Sequence, residues 1–419
     1  MSTTTTSTTT STSTLPRRGW LGVSSVAVSS FATVLSEFLP IGLLPSIASD
    51  LGVSIGTAGL MVVVTGLAAA VAAPAVTVWT TRLDRRIVLV GLSALVVVAD
   101  ATATVAGAFP VLLIARLLLG AALGGFWAIG AGIGSRLVEP GETIRATSFI
   151  TAGISIATVV SLPLGAFVAA VSNWRLAFAI GGAIALIALV LQLVALPAMP
   201  SLQRVRPAVL LALFRVPRAR IGLLTAALLF AAQFAAYTFI SPYLLDVAGV
   251  SPDVVTIALL VFGVSGIVGN FATGAALHRS VLGTIAALGL ALAASVALLP
   301  IVAQLPVGVF ALLVVWGLVW GGLPLALQTW MVAATPNGTE AGLALFVTTL
   351  QVSLALGSVL GGAVVSGYGI APDFWLAAII ALAGTAVLLA LGVRATRSSA
   401  AASDPAPASD PAAAPAPAQ

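Results

Sequence analysis

The chain has no cysteine and no lysine, and its only histidine is His278. Without cysteine there is no disulfide and no thiol nucleophile. One histidine is too few for a histidine-based metal site, so neither a metal nor a cofactor is expected. Charge is scarce too: Asp, Glu, Lys and Arg make up 7% of the residues, against 60% hydrophobic. A soluble domain carries about 25% charged residues. No water-facing surface can be assembled from this composition, and the fold class that follows is an all-α integral membrane protein.

Long apolar runs are what the sequence does have. A spanning helix needs roughly 20 mostly apolar residues. Twelve runs meet that need, near 20–47, 55–79, 87–106, 109–134, 146–171, 176–197, 220–245, 254–277, 281–303, 306–333, 341–368 and 373–393. With twelve spans and an inside start, fifteen of the 17 basic residues, all arginines, fall on the cytoplasmic side. The opposite loops hold Arg175 and four acids, Asp50, Asp246, Asp253 and Asp373. Arginine excess marks the cytoplasmic face, which puts the chain in the plasma (inner) membrane with both termini inside. The net charge of +5 is thereby accounted for by orientation, and nucleic acid is not an expected partner.

The sequence also repeats itself. Gly52-Val53-Ser54 follows the first run and Gly249-Val250-Ser251 the seventh. Run five opens after Pro140 and reaches Gly165; run eleven opens after Pro336 and reaches Gly361, at the same spacing. The expected layout is a Ser/Thr-rich tail (1–19), a six-helix bundle (20–197), an arginine-rich linker (198–219), a second six-helix bundle (220–395) and a Pro/Ala-rich tail (396–419). Low-complexity tails of this kind do not bury apolar surface and are expected to be disordered. Repeated halves place a substrate site near mid-membrane between them.

Within this apolar background a few residues stand out. Ser36–Pro45 reads "SEFLPIGLLP". Glu37 lies about 16 residues into the first run, roughly 24 Å at 1.5 Å per residue. A carboxylate there must be protonated, paired or wet. Exchange of its proton against substrate is the minimal logic of antiport; a fixed packing pair is the other reading. Pro40 is expected to bend the helix beside Glu37, and Pro45 to end it. Asp100, in the third run, is a second candidate proton site, unless it is structural or wetted near the surface. Arg116 lies about seven residues into the fourth run, where arginine pairs with carboxylates or backbone carbonyls. For substrate contact the polar and aromatic residues of the spans are candidates: Trp127, Gln233, Tyr237, Asn270, Gln328 and Gln351. Amides of this kind also join helices to each other.

Four blocks carry a family resemblance, one of them "FAAQFAAYTFISPYLLDVAGV" (Phe230–Val250), which resembles a block of bacterial purine-ribonucleoside efflux pumps. "SEFLPIGLLPSIASDLGVS" is similar to the first-span block of bacterial sugar-efflux, arabinose-efflux and chloramphenicol-resistance exporters. "ARLLLGAALGGFWAIGAGIGSRLVEP" and "WGLVWGGLPLALQTWM" resemble blocks of bacterial purine-ribonucleoside efflux pumps. The chain thus resembles a major facilitator superfamily transporter of the twelve-span drug:proton antiporter group. That resemblance implies the two-bundle fold, alternating access and a proton-coupled role for Arg116, which with Gly120 fits the fourth-span signature. It makes Asp84, Arg85 and Arg86 a cytoplasmic gate, with Arg279 as the thin counterpart in the second half. It makes Gly153, Pro163 and Gly165 the antiporter motif of the fifth span, with Leu162 where the family has glycine.

The expected function is proton-coupled export of a small organic molecule, such as a purine nucleoside, a sugar or an amphipathic drug, by a monomer in the lipid bilayer. Symport or facilitated import of a small metabolite is the alternative. No nucleophile–base pair, metal-ligand spacing or phosphate loop is present, so an enzyme is not expected. Nor is a channel, which would show charge rings or a filter motif.

Overall fold

The computed structural model describes residues 15–80, 82–130, 133–200, 213–336 and 339–392. Among these, twelve helices are long and apolar enough to cross a membrane. In chain order they are α1 (Leu15–Leu51), α2 (Leu60–Trp79), α3 (Arg85–Thr104), α4 (Phe109–Ile129), α5 (Thr143–Val171) and α6 (Trp174–Ala195). Then follow α7 (Pro217–Thr238), α8 (Pro252–Leu277), α9 (Val281–Leu298), α10 (Pro306–Ala334), α11 (Thr339–Tyr368) and α12 (Ile370–Val387). A helix satisfies its own backbone groups, which is why apolar runs cross lipid in this form. Large side chains such as Phe271, Val194 and Val307 stand exposed on the outer faces, as lipid contact requires.

The boundaries have local causes. Asp84 caps α3, accepting from the Arg86 amide at 2.8 Å, and Asn173 caps α6 through the Leu176 amide at 3.1 Å. Proline opens α7, α8 and α10, where a missing N–H costs nothing. Gly52 and Gly249 carry φ of 62° and 63°, so both halves leave their first helix through the same left-handed turn. Ser54 then caps a one-turn helix (Ile55–Ala58), and Ser251 precedes α8.

The packing is twofold in the same sense. In the first half α1 packs on α5 and α6, α2 on α4, and α3 on α4 and α6. In the second half α7 packs on α11 and α12, α8 on α10, and α9 on α10 and α12. Each pair recurs six helices later. The halves meet through α5 on α8 and α2 on α11, again an equivalent exchange. The molecule is thus two six-helix bundles, with α1 and α7 most deeply enclosed, 89% and 83% of their spanning windows being buried.

Two expectations are corrected. Pro45 does not end the first helix, which runs through Pro40 and Pro45 to Leu51; neighbouring helices enclose the segment, and Pro45 is only half-buried at its edge. Asp373 is not a loop acid: it lies in the first turn of α12 and is fully buried. α1 begins at Leu15, inside the stretch read as a tail, while 1–14, most of the linker (201–212) and 393–419 lie outside the described residues.

Candidate functional site

Three consecutive residues of α1 point in three directions, because helix neighbours are rotated by about 100°. Ser36 faces into the first bundle. Its hydroxyl donates to Asp100 Oδ2 at 2.6 Å. Arg116 of α4 closes the group, with Nη2 3.6 Å from Asp100 Oδ1 and Nη1 donating to the Ser36 carbonyl at 2.7 Å. The guanidinium also lies 5.0 Å from the Phe178 ring centroid. All of Asp100 and Arg116 is buried. Pro40 explains the carbonyl. A proline four residues on has no N–H to give to Ser36, and Arg116 supplies a donor in its place.

Asp100 is therefore not wetted near the surface, and it, rather than Glu37, is the ion partner of Arg116. Glu37 faces the other way, toward the second bundle. There Gln351 Nε2 of α11 stands 3.4 Å from its Oε1, a hydrogen bond between residues 314 positions apart. Glu37 is 6% exposed and Gln351 3%.

Phe38 completes the turn and enters an aromatic cluster built by the second bundle. It stacks on Phe234 with ring centroids 6.2 Å apart and planes at 4°, and meets Tyr237 edge-on. Tyr237 touches Phe262, Trp316 and Trp320. Trp316 Nε1 donates to Gln233 Oε1 at 2.8 Å. Gln233 Nε2, wholly buried, has no hydrogen-bond partner. The buried wall where α1 meets the second bundle thus holds a carboxyl, two amides, one with a free donor, and six aromatic rings.

The bundles meet closely at mid-height, where a Cβ on Gly263 of α8 would lie 2.9 Å from the Val159 oxygen of α5, and from there toward one face. A Cβ on Gly56 would strike Ser366 Oγ and lie 2.5 Å from the Gly362 carbonyl oxygen; one on Gly59 would lie 2.8 Å from the Phe239 ring. Ser241 Oγ donates to the Gly42 carbonyl at 3.5 Å. These contacts form a seam between mid-height and the face bearing Gly52 and Gly249. These glycine contacts, and the hydrogen bonds of Ser241 and Gln351, all lie at mid-height or toward that face.

Asp84, Arg85 and Arg86, expected to form a cytoplasmic gate, bond within the first bundle. Asp84 accepts from the Met199 amide at 2.9 Å, and Arg86 donates to the Leu193 carbonyl at 2.7 Å. The Arg85 side chain reaches Thr80 Oγ1 at 3.1 Å. These three bonds go to the segment after α6, to α6 itself and to the end of α2, and Arg279 is exposed without a described bond to them. His278 is exposed at the end of α8, as a solvated residue. Gly153 and Gly165 let α5 lie on α1: a Cβ on Gly153 would strike the Ala27 carbonyl, and one on Gly165 would lie 2.9 Å from the Leu39 oxygen. Pro163 is buried inside α5.

Of the substrate candidates, Gln233, Tyr237 and Gln351 come together on the wall between the bundles. Trp127 is half-buried against the core, while Asn270 and Gln328 are exposed. Sequence reasoning missed Phe38, Phe234 and Phe262, because phenylalanine is an ordinary residue of spanning helices, and Ser36, whose carbonyl matters only once Pro40 is read with it.

Residues 26–342 match the family model described as Major Facilitator Superfamily. The chain belongs to the major facilitator superfamily. Among major facilitator relatives, the purine ribonucleoside efflux pump NepI of Escherichia coli (strain K12) is 32% identical over 387 residues, 92% of this chain and 97% of its own. A Pseudomonas aeruginosa protein named transcription regulatory protein OpdE is 35% identical over 367 residues, 87% of this chain and 91% of its own. Two solved major facilitator structures share the fold. A D-xylose-proton symporter matches with TM-score 0.72 at 15% identity, over 88% of this chain and 97% of that one. The nucleoside transporter NupG matches with TM-score 0.72 at 14% identity, over 88% and 99%. The chain is a multi-pass membrane transporter of this superfamily rather than an enzyme.

Proposed function

We propose that this transporter exports a small organic molecule with a planar ring, a purine nucleoside being the leading candidate, in exchange for protons. One observation carries the reading: Glu37 meets Gln351 while Phe38 meets Phe234 and Tyr237, so the carboxyl and the aromatic cluster both lie where α1 faces the second bundle. Ring faces suit a base, and the free Gln233 amide donor suits a ring nitrogen or carbonyl. Substrate on that wall and a proton on Glu37 then compete for the same space. The NepI name favours export and a purine nucleoside as cargo.

The arginine-rich face is cytoplasmic in this reading, so the seam is on the outer side and the conformation faces inward. Asp84, Arg85, Arg86 and Arg279 act as the gate in the opposite, outward-facing conformation. Gly153, Pro163, Gly165 and Pro40 allow α5 and α1 to shift between the two. Arg116 and Asp100 hold α1, α3 and α4 together and keep Ser36, and with it Glu37, in register.

The test uses purified protein in liposomes with a trapped pH dye and an imposed gradient of inosine, guanosine, arabinose or chloramphenicol. Proton movement driven by the two nucleosides and not by arabinose supports the reading. Movement driven by chloramphenicol or arabinose alone replaces the substrate class, and silence with all four contradicts it.

A further inference from the structure

Asp373 takes no part in the site above. It is fully buried in α12, and neither of its carboxylate oxygens has a hydrogen-bond partner. Its surroundings are peptide and ring. A Cβ on Gly361 of α11 would lie 2.8 Å from Asp373 Oδ1 and 2.9 Å from the Ala235 carbonyl oxygen of α7. The next residue, Phe374, stacks on Tyr243 with centroids 4.6 Å apart.

Among the described residues, no opposite charge faces it. α12 packs on α7, α9, α11 and the turn Tyr243–Val247. α9 has no titratable residue. The arginines of α7, Arg218 and Arg220, stand at its opposite end, and Tyr237 belongs to the aromatic cluster. On α11, Glu340 lies in the far first turn and Tyr368 is exposed. In the turn, Tyr243 gives its hydroxyl to the Leu299 carbonyl at 2.6 Å, and Asp246 is the acid the turn itself carries. An ionised carboxylate with no partner is strongly disfavoured in such a place. A protonated carboxyl avoids that cost.

Its place gives that proton a role. Gly361 adjoins Gly362, where a Cβ would lie 3.0 Å from the Gly56 carbonyl oxygen of the first bundle. The Phe239 ring that meets Gly361 at 3.1 Å also meets Gly59. Asp373 thus sits one residue layer behind the seam. Opening the seam moves α11 against α2 and lets water reach that layer, where the carboxyl can ionise.

We propose that Asp373 is a second proton-binding site, loaded when the seam closes and emptied when it opens. By linkage, acid on the seam side favours the closed form and alkali the open form. This rests on the alternating-access reading of the seam and on its outward orientation.

The natural absence of cysteine allows a direct test. Ser241→Cys puts a lone thiol in the seam, at a site 1% exposed. Labelling of intact cells by a membrane-impermeant maleimide is followed against external pH. Ser251→Cys, exposed on the same face, corrects for the reactivity of the thiol itself. The corrected rate should rise at least about fivefold from about pH 5 to about pH 8. It should stay flat in Asp373→Asn and still rise in Glu37→Gln. A rise that survives in Asp373→Asn, or one that is lost in Glu37→Gln, overturns the proposal. So does a corrected rate that reacts but is flat with Asp373 present, which leaves the transport reading intact. A thiol that never reacts at any pH overturns both readings together. Asp373→Ser, a second neutral variant with the same expected flat profile, serves if Asp373→Asn does not accumulate.

Discussion

Arg116 donates to the Ser36 carbonyl at 2.7 Å, the carbonyl that Pro40 leaves without its helical donor. The relationship joins two features that look unrelated in the sequence. A proline inside a helix costs about 3 kcal/mol, and a buried arginine needs acceptors. Each meets the need of the other, and the result fixes α4 against α1 one residue from Glu37.

Pro40→Ala restores the amide donor within α1. The carbonyl can accept both groups, so folding should be preserved, with a thermal midpoint equal to or above that of the natural chain. Helix α1 then loses its weak point beside Glu37. Substrate-driven proton movement in liposomes should fall at least about tenfold. Unchanged transport would remove Pro40 from the mechanism.

The Asp100–Arg116 pair predicts a stability pattern. Arg116→Met leaves Asp100 buried without its cation and should cost about 3–5 kcal/mol. The double variant Arg116→Met with Asp100→Asn removes both charges and should recover most of that loss. Thermal unfolding in detergent measures both. A double variant no better than Arg116→Met would show that the two side chains act separately.

How much of this was legible in the sequence differs by level. The twelve spans, the repeat and the pairing of halves follow from apolar runs and from Gly52 and Gly249, since lipid admits few alternatives to helices. Glu37 stood out because a carboxyl in such a run is rare. Its partner did not: Gln351 is 314 positions away, and only the packing of the bundles brings it near. Asp373 was misplaced for the opposite reason. It stands at the very edge of the last apolar run, 373–393, whereas α12 already starts at Ile370 and Gly361 of α11 lies against its carboxyl. The aromatic wall depends on which face of α7 and α10 points inward, and helices apolar on all sides do not reveal that.

Gln233 links the wall to specificity. Gln233→Leu leaves the Trp316 N–H without its acceptor and should destabilise by about 1–3 kcal/mol. Nucleoside affinity should fall about tenfold or more, while a ligand without ring acceptors loses less. Tyr237→Phe keeps the ring and should bind as the natural chain does; Tyr237→Ala should not. Titration calorimetry with inosine compares them. Equal losses for all ligands would make Gln233 purely structural.

The seam predicts a contrast between two glycines. In Gly56→Ala the new methyl group meets Ser366 and the Gly362 carbonyl, so closure is disfavoured and the seam thiol at position 241 should label several-fold faster. Gly91→Ala meets nothing within 4 Å and should label at the natural rate, with stability raised by about 0.5–1 kcal/mol. Equal labelling of the two variants would mean that the seam does not hold the bundles closed.

The most direct test of the whole account compares the natural chain with Glu37→Gln in liposomes holding a pH dye, under an outward-directed inosine gradient and then in inosine exchange without net flux. The account predicts that substrate-driven proton movement disappears in Glu37→Gln while inosine exchange continues. Proton movement that persists in Glu37→Gln would contradict it, since coupling would then run through another group.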